Sequence, residues 1–235
     1  MTLRHLVPGL ALVAACDISQ SGGNERLDFT PTECGYKLIG CNFADSIAVG
    51  GTIEVQVTAR DGGTTTGLDL ATDTPDLLAV EPVPGSSPRA WQLTALGAGV
   101  GRLAALDDGG AEIDFLEVPM QAAVGLGLDE AGGRADGPTQ EPGFDEVWTV
   151  DADRDAQFNV TARVGPGARA MGRFRYVPEP VGFILNYELD HHLEDGFIHF
   201  MLPEGDWSMT YRLEIAPTIE VGLLFHAVAA QTRSP

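Results

Sequence analysis

The chain has 235 residues, with 34 acidic against 14 basic side chains and a formal net charge of -20. A chain of that charge repels phosphate backbones, which are bound through clusters of Lys and Arg, so nucleic acid is excluded as a partner. A hydrophobic content of 44% fills packed cores and excludes a chain disordered throughout.

The first element is a leader. Arg4 and His5 stand ahead of an apolar stretch from Leu6 to Ala15, which ends in Val13-Ala14-Ala15-Cys16. A basic start, an apolar middle and small residues at the cut make a secretory signal. The stretch has about half of the roughly 20 residues a membrane-spanning helix needs, and Pro8 and Gly9 interrupt it. An aliphatic residue, two small residues and a cysteine resemble the lipobox of bacterial lipoproteins. That resemblance implies cleavage before Cys16, acylation of Cys16 and a membrane anchor, since several acyl chains hold stably where one holds marginally. Residues 1–15 are then a signal peptide. Residues 16–33 are the lipidated cysteine and a flexible spacer, because Asp17 to Pro31 is mostly polar, with Ser, Gly, Asn and Asp prominent. The expected location is the cell envelope, on the outer membrane or at the cell surface.

Cys34 and Cys41 remain once Cys16 is set aside. An even pair in an exported chain reads as a disulfide. Zinc needs more ligands than stand nearby, and a redox pair has the closer C-x-x-C spacing.

Beyond this point short alternating runs recur between Gly, Pro and Asp clusters, the pattern of strands and turns. In Thr52 to Arg60, the residues Ile53, Val55, Val57 and Ala59 fall on one face and polar residues on the other. Further strands are predicted at Leu77 to Glu81, Trp91 to Leu96, Arg102 to Leu106 and Glu112 to Val118. Pro75-Asp76-Leu77-Leu78-Ala79-Val80-Glu81, followed by Trp91-Gln92-Leu93-Thr94-Ala95-Leu96-Gly97-Ala98-Gly99-Val100-Gly101-Arg102-Leu103-Ala104-Ala105, resembles the group 2 bacterial immunoglobulin-like domains. Leu93 and Ala95 are predicted to point inward, Gly97 and Gly99 to turn, and Leu103 and Ala105 to return antiparallel. The resemblance implies a β-sandwich at the envelope or surface, in some members adhesive, and names no partner.

Gln56-Val57-Thr58-Ala59-Arg60 is echoed by Asn159-Val160-Thr161-Ala162-Arg163, which points to tandem units. The expected fold is all-β: two tandem Ig-like antiparallel β-sandwiches after a signal peptide and flexible spacer, over residues 34–119 and 120–235. Strands are predicted at Arg173 to Val177, Gly182 to Leu189, Phe197 to Leu202, Ser208 to Ile215 and Thr218 to Phe225. Asp129 to Gly143 is Gly-, Pro- and acid-rich and is expected to be a mobile loop.

The densest group of chemistry-bearing residues runs from Glu188 to His199, with three of the five histidines among four carboxylates. Imidazoles and carboxylates suit zinc and similar ions, and His191 and His199 can meet across a hairpin turned at Glu194-Asp195-Gly196. The other reading is a solvated hairpin tip, because neighbours such as His191 and His192 alternate faces in a strand. Asp151, Asp153 and Asp155 match the start of a calcium loop, but Ala156 and Ala162 stand where a glycine and a bidentate acid belong. No nucleophile elbow, phosphate loop or dinucleotide fingerprint occurs. Trp91, Trp148 and Trp207 are expected in cores.

These readings describe a lipid-anchored envelope module, not an enzyme and without a cofactor, that meets an unknown protein or glycan. The alternative is a metal-binding or metal-dependent protein using His191, His192 and His199.

Overall fold

The computed structural model describes residues 19–35, 41–133, 135–180, 188–192 and 196–229, and every regular element among them is a strand. In the first sandwich, β2 (Leu27–Thr32), β4 (Thr52–Ala59), β7 (Ala90–Ala95) and β6 (Leu78–Pro82) pair antiparallel in that order, with β1 (Gln20–Ser21) outside β2. Opposite lie β3 (Ser46–Ala48), β9 (Glu112–Gln121), β8 (Gly99–Leu106) and β5 (Asp69–Thr72), of which β3 and β9 run parallel. Alternation decides which face goes inward. Ile53, Val55 and Val57 are buried with Phe29, Trp91 and Leu93 from one sheet and Leu70, Leu103 and Val118 from the other. This order is the immunoglobulin one, strands A-B-E-D against A′-G-F-C.

The second sandwich repeats it. β10 (Gly125–Gly133), β13 (Asp155–Gly165), β17 (Phe197–Met201) and β16 (Glu188–His192) form one sheet, all antiparallel. β12 (Glu146–Asp151), β19 (Ala216–Val228), β18 (Gly205–Leu213) and β15 (Tyr176–Glu179) form the other, with β12 parallel to β19 and β11 (Ala135–Thr139) outside β12. The core is aromatic: Phe158, Phe200 and Phe225 contact one another at centroid distances of 5.0 to 5.7 Å, with Trp148 edge-on to Phe158. The sequence echo falls on equivalent strands, β4 and β13. Val57 and Val160 each point into their own core.

The two sandwiches share a sheet. β14 (Ala168–Met171) pairs with β13 on one side and, in parallel, with β3 on the other, which makes a nine-stranded sheet continuous across both halves. Met171 packs in the first core and Ala48 in the second. Beyond β14, the Gly172 N–H donates to the Cys34 carbonyl at 2.9 Å, and Arg173 exchanges backbone bonds with Thr52 at 2.7 and 3.3 Å. A Cβ on Gly172 would meet the Phe174 ring and the Gly51 backbone at 2.9 and 3.0 Å, so glycine is what lets the chains pass this closely.

Three expectations change. Leu27 to Pro31, read as spacer, belong to a strand whose Leu27 and Phe29 are buried; the polar residues before them form a turn held by Asp114. Asp129 to Gly143, read as a mobile loop, contains the end of β10 and all of β11, so this stretch crosses from one sheet to the other. Leu103 and Ala105 are buried as expected, but β8 does not return beside β7: the Gly97–Gly99 turn arches between sheets, and β8 pairs with β9 and β5.

Candidate functional site

On the outer face of the second sandwich, β18 sets Asp206 opposite His226 and Thr210 opposite Gly222 on β19. These positions face outward because their neighbours Met209, Tyr211, Leu223 and Phe225 fill the core. Asp206 Oδ1 lies 2.7 Å from His226 Nδ1, and Glu141, from the connection between β11 and β12, places Oε1 3.0 Å from His226 Nε2. The bond to Asp206 and then that to Glu141 raise the imidazole pKa above its ordinary 6.5, with partial burial opposing them. Asp145 fixes the end of the same connection by exchanging two bonds with the Gly222 backbone, at 2.7 and 2.9 Å.

Beside this group lies an open groove of about 430 Å³, lined by Phe144, Glu179, Pro180, Ser208, Thr210 and Gly222. Glu179 is held by Arg212 at 2.8 Å, and Arg212 also bonds Glu220 at 2.7 Å. One ring, two hydroxyls and a glycine floor suit a ligand with both an apolar face and polar edges.

Cys16 lies outside the described residues. Cys34 and Cys41 form a disulfide with Cα atoms 6.1 Å apart, buried in the first core beside the joint; of the residues it encloses, 36–40 lie outside the described set. His191 and His192 are on β16 and His199 on β17, and the register sets Asp190 opposite His199, His191 opposite Ile198 and His192 opposite Phe197. In that register the position of His192 falls on the same face of the sheet as His199, and the position of His191 on the other. His199 Nε2 is buried without a hydrogen-bond partner, 3.7 Å from Asp155 Oδ1. Among the described residues no three His, Cys, Asp or Glu side chains converge on one point. Asp151, Asp153 and Asp155 mark the β12–β13 turn, in which the Asp153 N–H donates to the Leu202 carbonyl. Trp91 and Trp148 are buried as expected; Trp207 is partly exposed and donates Nε1–H to the Pro203 carbonyl at 2.9 Å.

Three groups gave no signal in sequence. Asp114 is fully buried on β9 and accepts bonds from the N–H groups of Asn24, Arg26, Leu27 and Phe115. Glu146 crosses from β12 to accept from the Leu128 N–H at 3.0 Å and Trp148 Nε1 at 3.1 Å, so it covers an otherwise open edge of β10. Burial pushes its pKa up against those bonds. His226 is separated from Asp206 and Glu141 by 20 and 85 positions, so only the folded chain brings them together.

No family model matches the chain, and no curated protein matches it. Among solved structures it is similar to domains 5-6 of the S-layer protein SbsC, with 13% identity over 91% of this chain and 100% of that one, at a TM-score of 0.32. It is also similar to the SGBP-B protein of the Bacteroides ovatus mixed-linkage glucan utilization locus, solved with a heptasaccharide (10% identity, 80% of this chain, 44% of that one, TM-score 0.34). A third is the Yersinia pseudotuberculosis adhesin InvE (12% identity, 77% of this chain, 56% of that one, TM-score 0.29). These likenesses are remote, and the immunoglobulin topology rests on the strand pairing itself.

Proposed function

We propose that the chain is a lipid-anchored, non-catalytic module of the cell envelope, tethered through Cys16, whose two sandwiches present a binding surface to a protein or glycan. The observation that carries this reading is the shared sheet. Two immunoglobulin units joined through β14 and β3 hold one orientation, which suits a presenting arm better than a chain of swivelling beads. The outer-face groove and the loops are where a partner would meet it. The test is lipid labelling of the native chain and its Cys16→Ala variant, followed by protease treatment of intact cells. Label that depends on Cys16, with cleavage of the exposed protein, supports a surface lipoprotein. Label without cleavage moves it inside the envelope, and no label refutes the anchor.

A second reading has one observation in its favour: the orphaned His199 Nε2 beside Asp155, with Asp190 and His192 at neighbouring register positions. In that reading a divalent cation sits on this face of β16 and β17. Metal analysis of the purified chain with and without His199→Ala tests it. A stoichiometric ion lost in the variant supports it, and no metal in either refutes it.

A further inference from the structure

We propose that Asp206, His226 and Glu141 form a pH-operated clasp that holds residues 140–144 against the outer face of the second sandwich and so sets the position of Phe144 over the groove.

The clasp draws on three elements: Asp206 on β18, His226 on β19, and Glu141 in the segment between β11 and β12. Both ring nitrogens are engaged, at 2.7 and 3.0 Å. An imidazolium donates to both carboxylates. A neutral ring has a single N–H and turns a lone pair toward one of them. The two carboxylates are not equally anchored. Asp206 is fixed opposite His226 in the β18–β19 ladder, whereas Glu141 lies beyond the last paired residues of β11, where Thr139 faces Val147. Loss of the proton therefore frees Glu141. The Phe144 N–H donates to the Glu141 carbonyl at 3.2 Å, so the turn that carries Glu141 carries Phe144 with it, up to the Asp145–Gly222 tie.

No other cation among the described residues substitutes for the proton. On β12 the register partner of His226 is Thr149, and across Thr149 on β11 stands Asp136. On the same face of the sheet, Asp145 is tied to Gly222, and Glu220 and Glu179 are bound to Arg212. The charged groups near the ring are thus acids or are already paired.

The sign follows from linkage. Because the folded pKa of His226 is raised above 6.5, the clasp is fully formed below the unfolded value and is lost as pH rises through the folded one. It is closed in acid and opens toward the alkaline side.

The test needs no partner, so it stands or falls apart from the proposed binding role. The full chain, isotope-labelled, is titrated by NMR from about pH 5 to about pH 9, a span that brackets histidine ionisation. The His226 ring and the amides of Gly143 and Phe144 are followed. The expected result is a His226 midpoint above 6.5, with both amides moving at that same midpoint. Glu141→Gln lowers the midpoint and uncouples the amides. His226→Gln abolishes their titration while amides of β13, in the core of the same sandwich, stay unchanged, which shows that the variant is folded. A His226 midpoint at or below 6.5 overturns the clasp. So do loop amides indifferent to that midpoint, or an unchanged amide titration in His226→Gln.

Discussion

Replacing Asp114 is the sharpest perturbation of the first sandwich. Its Oδ1 accepts from Asn24 at 2.7 Å and Phe115 at 2.9 Å, and its Oδ2 from Leu27 at 2.8 Å and Arg26 at 2.9 Å. An asparagine in its place would keep the shape but offer one oxygen, and the amide N–H₂ would face two backbone donors. A buried donor left without a partner costs about 1–3 kcal/mol. In the alanine variant the buried Leu27 donor bears that cost in full, while the part-buried donors recover some of theirs from water. Asp114→Asn and Asp114→Ala should therefore each destabilise by about 3–5 kcal/mol. For a chain of this size that lowers the midpoint temperature by about 6–20 °C. Urea unfolding followed by tryptophan fluorescence, with Trp148 and Trp207 replaced by Phe in parent and variant so that buried Trp91 is the probe, reports on this sandwich. The pH dependence is a second readout. Burial pushes the Asp114 pKa up, but the four N–H bonds prevail and hold it below the ordinary 3.8. Its contribution is present above the unfolded pKa and is lost as pH falls through the folded one, so the asparagine variant should lack this part of the acid limb. A variant within about 0.5 kcal/mol of the parent, the ordinary range for an inconsequential surface change, would refute the assigned role.

Other consequences are as direct. A Cβ on Gly23 would run into the Phe115 ring, so Gly23→Ala should cost about 1–3 kcal/mol in the same urea assay, as overpacking does. Cys34→Ser with Cys41→Ser removes a crosslink closing 7 positions and should cost about 2–3 kcal/mol in the loop-entropy picture, measured against the parent without reductant. Gly172→Val puts a branched side chain against Phe174 and Gly51. It should widen the distribution of angles between the sandwiches, seen as a changed scattering profile, while Trp91 and Trp148 stay buried by quenching. A calorimetric trace of the parent should show one transition; two separate transitions would mean that the shared sheet does not couple the halves.

Local alternation is enough to find β4, β9 and β18, because each buries one face and leaves the other exposed or half-exposed. The signal weakens where that asymmetry does. β3 is three residues, Ser46-Ile47-Ala48, all buried, and shows no period. β11 reads Ala-Asp-Gly-Pro-Thr and is almost wholly exposed, so it carries turn composition on an edge strand. Leu27 to Thr32 does alternate, but the polar run before it masks the pattern. The Gly97–Gly99 turn is legible as a turn. Whether a turn joins neighbours in one sheet or arches to the other depends on partners distant in sequence.

The functional groups are hidden for a related reason. Their chemistry is set by pairings rather than by runs, so local density favours His191, His192 and His199 over His226, which sits alone in an apolar strand. The joint is quieter still, since Gly172, the Cys34 carbonyl and the Thr52 backbone make it without a distinctive side chain. The echo between Gln56–Arg60 and Asn159–Arg163 does hold the needed information in outline. Two equivalent strands imply two equivalent sandwiches, and eight strands of each half pair in the same order. What breaks the repetition is β14, which fills the side of β13 left free where β17 ends at Asn159 and carries the ladder on to β3. A repeat alone gives two beads on a string; this added strand is what makes the angle between them a property of the fold.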